Sequence, residues 1–182
     1  MQVIDFIGSD GTGNRLWIVL NSWLKFMNYN EISSVLFICM GNICRSPTAE
    51  AVFRKKAQDA GLSIKIDSAG TIGAHAKEQP DHRAQKVGEE AGYSFKGLKA
   101  RKVTVDDFAR FDLVLAMDEK NRSDLVAIAP AEHQEKIQLF LQHAENFDDM
   151  EVPDPYYGGA GGFRLVLSMA EDASEGLINK MR

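Results

Sequence analysis

The sequence predicts a single-domain α/β fold, a central four-stranded parallel sheet with helices on both faces. Three observations carry that expectation. From Ser33 onward, short β-branched or apolar runs alternate with segments of helical periodicity. Two of those runs, 34–39 and 112–117, are continuously apolar after a polar first residue, as strands covered on both faces must be. A tight loop, Cys39-Met40-Gly41-Asn42-Ile43-Cys44-Arg45-Ser46, joins the first run to a helix start.

In order, strand one is expected over 34–39. The helix after it opens on Ser46-Pro47, a hydroxyl at the cap and a proline in the first turn, and Gly61 stops it. Ala49, Val52, Phe53, Ala57 and Ala60 share one face of that helix. Strand two is expected over 64–68, ending in Ala69-Gly70-Thr71. A second helix near 80–90 follows, then a short one capped by Thr104. Strand three over 112–117, a helix over 119–128 and strand four over 136–140 complete the sheet. The last helix, 161–179, turns Phe163, Val166, Leu167, Ala170, Ala173 and Leu177 inward. Ligands of open parallel sheets bind at the carboxyl ends of the strands, and Cys39, Ser68, Asp118 and Asp154 all fall there.

Composition narrows the function. With 182 residues, 45% hydrophobic and 26% charged, the chain can bury a core without disulfides. A net charge of -5 and the lack of a basic run argue against nucleic acid. The only two cysteines, Cys39 and Cys44, share one loop, which suits a reducing cytoplasm and a chemical use for the thiols. Residues 1–33 are expected to form an N-terminal extension without a catalytic role, and Met27 is a candidate start. Its apolar stretches, 16–20 and 23–26, are too short to span a membrane. A signal peptide fits poorly, because Asp5 and Asp10 stand where positive charge belongs. Gly8-Ser9-Asp10-Gly11-Thr12-Gly13 imitates a nucleotide loop, but no Lys-Ser or Lys-Thr follows it, so it reads as a turn. His75, His82, His133 and His143 show no metal-ligand spacing and are expected on the surface; no metal or cofactor is implied.

The loop holds the parts for phosphoryl transfer. A strand, a tight turn and a helix start gather N–H donors around one point, on the positive end of a helix dipole. Gly41 and Asn42 can take positive φ and bend the backbone into a cradle. Arg45 offers a fork that matches two phosphoryl oxygens. Cys39, with the Ser46 hydroxyl beside it, is placed to attack phosphorus.

The run Val35-Leu36-Phe37-Ile38-Cys39-Met40-Gly41-Asn42-Ile43-Cys44-Arg45-Ser46-Pro47, with Ala49-Glu50-Ala51-Val52-Phe53, resembles the low-molecular-weight protein tyrosine phosphatases. Asp154-Pro155-Tyr156-Tyr157-Gly158 resembles the second motif of that family. Asp67-Ser68-Ala69-Gly70-Thr71, Ala100-Arg101 and Met117-Asp118 match in order and spacing, so the resemblance covers 34–182. It implies that Cys39 is the nucleophile, Arg45 the phosphate ligand and Asp154 the general acid and then base. It implies a substrate cradle of Met40, Gly41, Asn42, Ile43, Cys44 and Ser46, aromatic walls at Tyr156 and Tyr157, and support from Ser68 and Asp118. Cys44 could pair with Cys39 on oxidation as a reversible off-switch. The implied partner is a phosphotyrosine-containing protein or peptide, with inorganic phosphate as product and weak inhibitor. A monomer or weak dimer is expected.

Two positions depart from the family. Ala74 stands where an aromatic wall is usual, which predicts a more open pocket. Leu98 replaces a histidine that orients the loop asparagine, so Asn42 must find other partners, Ser68 among them, and a less tightly braced loop is expected. Thioredoxin-coupled arsenate reductases share the fold but need further cysteines. Phosphoarginine phosphatases typically carry threonine where Ile43 stands. A non-catalytic phosphate-binding module would be expected to lose Cys39 or Asp154, and both are present.

Overall fold

The computed structural model describes residues 27–182. The apolar stretches and the glycine-rich turn read in the first 26 residues lie outside the described residues. The elements run β1 (Ser34–Cys39), α1 (Arg45–Asp59), β2 (Lys65–Gly70), α2 (His82–Glu90), α3 (Val105–Arg110), β3 (Leu113–Ala116), α4 (Glu119–Ile128), β4 (Ile137–Leu139) and α5 (Ala160–Met181). The four strands form one parallel sheet in the order β2-β1-β3-β4.

That order follows from two-sided burial. Every residue of β1 is buried, and its side chains alternate between two cores. Val35, Phe37 and Cys39 face α1 and α5, whereas Leu36 and Ile38 face the core that holds Phe108, Phe111 and Leu125. Phe37 anchors the first core, edge-on to Phe53 at 5.5 Å and to Phe140 at 5.1 Å. Burying one such ring contributes on the order of 2–3 kcal/mol. The inward face expected of the last helix is the observed one, with Phe163, Val166, Leu167, Ala170, Ala173 and Leu177 all buried.

After β1 the chain crosses to one side for β2, then returns to the other side of β1 for β3. The carboxyl ends of β1 and β3 therefore open a cleft where the connections diverge. Cys39 lies at the end of β1 and Asp118 just past β3.

Several local expectations are corrected. Strand two reaches Gly70 because Ser68 to Gly70 continue in register with Phe37 to Cys39. Ser46 is not the cap of α1: the helix starts at Arg45, and the Ser46 hydroxyl turns into the loop instead. Pro47 is tolerated two positions further in, as the third helical residue, since first-turn N–H groups lack helical partners anyway. His143 is not on the surface. It is buried, edge-on to Tyr29 at 5.7 Å, and burial pushes its imidazole down to about 3. Tyr29 donates to Gln138 at 3.0 Å, so the segment just before β1 packs on β4 and α5, away from the Cys39 loop.

Candidate active site

Ser46 is the hub of the loop floor. Its Oγ lies 3.1 Å from Cys39 Sγ and accepts from Asn42 Nδ2 at 2.9 Å. The Asn42 backbone N–H also points at Cys39 Sγ, 3.2 Å away. Asn42 takes the left-handed backbone at φ 57°, the bend that aims this N–H inward. Gly41, expected to share that bend, does not; its bare Cα faces the His75 ring, which an added Cβ would meet at 3.1 Å. Gly70 is required for a different reason. A Cβ there would lie 2.6 Å from the Met40 carbonyl, where the end of β2 passes under the loop.

The Asn42 amide is satisfied at both ends. Oδ1 accepts from the Arg101 backbone N–H at 3.0 Å, and Nδ2 donates to Ser68 Oγ at 2.8 Å as well as to Ser46. Ser68 is thus one of the replacement partners that Leu98 made necessary. Leu98 itself is buried against Ala51 and Phe95.

Arg45 is almost fully buried and held from two sides. Nη1 donates to Asp118 Oδ2 at 2.5 Å and to the Val152 carbonyl at 3.0 Å. Asp118 has a second task, since its Oδ1 caps α4 through the Asn121 N–H at 2.6 Å. The Val152 N–H in turn bonds the Met117 carbonyl at 2.8 Å. The loop after β4 is thereby tied to the end of β3, and Asp154, two residues on, reaches Arg45 Nη2 at 3.4 Å. Its own Oδ1 accepts from the Tyr156 N–H at 3.1 Å, an Asx turn that spans Pro155.

The pocket above Cys39 encloses about 190 Å³. That is below the roughly 300–1,000 Å³ of a drug-sized site, so it suits one small group and its phosphate. Met40, Gly41, Ile43, Cys44, Tyr156 and Tyr157 line it with Cys39, Arg45 and Asp154. Asn42, Ser46 and Ser68 lie beneath it. Ile72 and His75, which lie either side of the exposed Ala74 in sequence, also line the pocket. Their signal was proximity in space: the Ile72 N–H bonds the Met40 carbonyl at 3.1 Å. His75, read as a surface residue, pairs with Glu78 at 2.8 Å on the pocket rim.

Cys44 is buried in a small apolar cluster with Ala84 and Phe163, and burial, with Asp81, Cys39 and Asp154 nearby, pushes its thiol up to about 12. Arg83 braces the opposite wall. It bonds Asp81 at 2.7 Å and the Tyr156 carbonyl at 3.1 Å, and its guanidinium lies 4.7 Å from the Phe163 ring centre. Among the described residues, no three His, Cys, Asp or Glu side chains cluster as a metal site. No helix among them is long and apolar enough to cross a membrane.

A parallel α/β sheet with a Cys-x5-Arg loop at its switch point and an aspartate facing the arginine defines a phosphatase-like class of site. The family model for low molecular weight phosphotyrosine protein phosphatase matches residues 34–182, and the chain belongs to that family. A relative from Streptomyces coelicolor, a low molecular weight protein-tyrosine-phosphatase, is 44% identical over 153 residues, covering 81% of this chain and 93% of its own. The low molecular weight phosphotyrosine protein phosphatase of Schizosaccharomyces pombe is 44% identical over 150 residues, covering 81% and 96%. Among solved structures, the protein tyrosine phosphatase of Entamoeba histolytica with Hepes in its active site superposes with a TM-score of 0.79. It is 43% identical, and the match covers 81% of this chain and 96% of that one.

Proposed function

We propose that this chain hydrolyses phosphotyrosine in proteins or peptides through a phosphocysteine on Cys39. The observation that supports it most is that Asp154 meets Arg45 at 3.4 Å in the pocket that also holds Cys39. Nucleophile, phosphoryl ligand and proton donor thus share one small space. The Cys39 thiolate attacks phosphorus, the P–O bond to the ring breaks, and Asp154 gives its proton to the departing phenolate. Asp154, now ionised, takes a proton from water, which attacks phosphorus, breaks the S–P bond and releases inorganic phosphate. Arg45 holds two phosphoryl oxygens throughout, pre-aimed by Asp118 and Val152. Inorganic phosphate, as product, binds the same cradle and inhibits weakly.

The functional unit is residues 34–182 acting as a monomer or weak dimer in the cytoplasm, and residues 1–33 take no part in the chemistry. The two free buried thiols suit such a reducing compartment. Oxidation by peroxide would convert Cys39 to a sulfenic acid, which Cys44 could attack, releasing water and leaving a disulfide. The thiolate is the attacking form, so the high Cys44 value makes that step slow.

Hydrolysis of phosphotyrosine, phosphoserine and phosphoarginine peptides, with and without vanadate, tests the assignment. Vanadate-sensitive cleavage of phosphotyrosine is expected; cleavage of phosphoarginine alone would transfer the chain to a different substrate class. Cys39→Ser is expected to abolish turnover while retaining phosphate binding, and full activity in that variant would overturn the mechanism.

A further inference from the structure

Behind the loop floor, a chain of hydrogen bonds runs from Cys39 to a buried carboxylate and from there to a solvent-exposed cation. Asn42 fixes its polarity. Because Oδ1 accepts from the Arg101 N–H, the other amide atom is the NH2 group, and it donates to both Ser46 and Ser68. Ser68 must therefore send its own hydrogen elsewhere, and it donates to Glu50 Oε2 at 2.6 Å. Ser46, which also accepts from Asn42, has its own hydrogen left for Cys39 Sγ at 3.1 Å or for the Ala69 carbonyl at 3.5 Å. A neutral Glu50 can offer a hydrogen to Ser68, turn the Ser68 hydroxyl toward Asn42, and oppose the amide donor there.

Glu50 is 4% exposed, and burial pushes its carboxyl up, while the Ser68 hydroxyl and then Arg54 pull it back. Arg54, one turn along α1 and 43% exposed, bonds Glu50 directly through Nη2. Leu98, packed against this part of α1, offers no charge. The other charged groups facing Glu50 are Asp67 and Arg101, paired with each other at 2.9 Å, and Lys96 and Lys99 across the same surface depression.

We infer that Glu50 and Arg54 are positioning residues for Cys39: Arg54 holds Glu50 as a carboxylate, and Glu50 sets the direction of the Ser68–Asn42–Ser46 chain. The inference rests on the catalytic reading above only for its kinetic readout. In Arg54→Met the carboxyl loses a cation that pulls it down, so Glu50 takes up a proton at higher pH than in the parent. The acidic limb of kcat/KM for p-nitrophenyl phosphate is expected to move toward neutrality, with a loss of about 10- to 100-fold at its foot, the cost of a slightly misplaced reacting group. Raising the pH restores the rate, and Arg54→Lys follows the parent profile. Glu50→Gln, which cannot ionise, loses rate uniformly with pH, and adding Arg54→Met to it produces no further shift.

Superimposed profiles of the parent and Arg54→Met would overturn the inference. So would a shift that persists in the double variant, or a pH-independent loss in Arg54→Met accompanied by a lower melting temperature. Vanadate binding measured over the same pH range gives a readout without turnover. If the parent hydrolyses no aryl phosphate, the catalytic reading fails, while the vanadate profiles still decide the relay.

Discussion

The floor and the rim of the Cys39 pocket are built differently. On the floor, Asn42, Arg45, Ser46 and Ser68 are buried, and their side chains bond one another, Cys39, Asp118 or backbone groups. On the rim, Met40, Ile72, Tyr156 and Tyr157 are exposed apolar side chains, and Tyr157 is 95% exposed. Buried polar groups are costly unless paired, so the floor has essentially one arrangement and is organised before any ligand arrives. The rim has lost little by staying in water and can adapt to what enters. On the proposed reading the difference separates chemistry from selectivity: the floor acts on the phosphoryl group, and the rim selects the group that carries it.

Three substitutions can break or sharpen that division. The largest effect is expected at Asp154, which joins the two regions. Asp154→Ala should slow hydrolysis by roughly 10²–10⁴-fold, most for poor leaving groups, in a leaving-group series. A uniform loss across leaving groups would remove its role as acid. Next comes the floor itself. Asn42→Ala leaves the buried Ser68 hydroxyl without its donor and the Arg101 N–H unpaired, at about 1–3 kcal/mol for each such group. In a chain of this size that lowers the melting temperature by roughly 2–4 °C per kcal/mol, measurable by calorimetry. The smallest effect is expected on the rim. Tyr157→Ala should leave melting unchanged and raise KM for phosphotyrosine peptides by about 2- to 10-fold, the worth of one aromatic contact. A fall in kcat without a change in KM would mean that the rim belongs to the chemistry after all.

Much of this was legible in the sequence. The helix over 119–128 and strand 34–39 have the bounds read from periodicity, because a buried strand and a capped helix are local patterns. The Cys39–Ser46 loop announces itself by the spacing of its side chains. What was not legible shares one cause: contacts between residues far apart in sequence. Ser46 looks like a helix cap until β2 and Ser68 lie beside it. His143 looks like a surface histidine until α5 covers it. Ile72 and His75 reach the pocket only because the end of β2 runs under Met40 and Gly41.

Alternating strand and helix patterns, the Cys39-to-Arg45 spacing and the Asp154-Pro155-Tyr156-Tyr157 motif were enough, by themselves, to determine the sheet, its loop and the family. The tertiary structure alone decided the strand order β2-β1-β3-β4, the clasp of Arg45 by Asp118 and Val152, and the chain from Cys39 back to Glu50. The physical reason is that local propensity and spacing act over a turn or a strand. The pairing of buried polar groups is settled only when folding removes the water that would otherwise satisfy them.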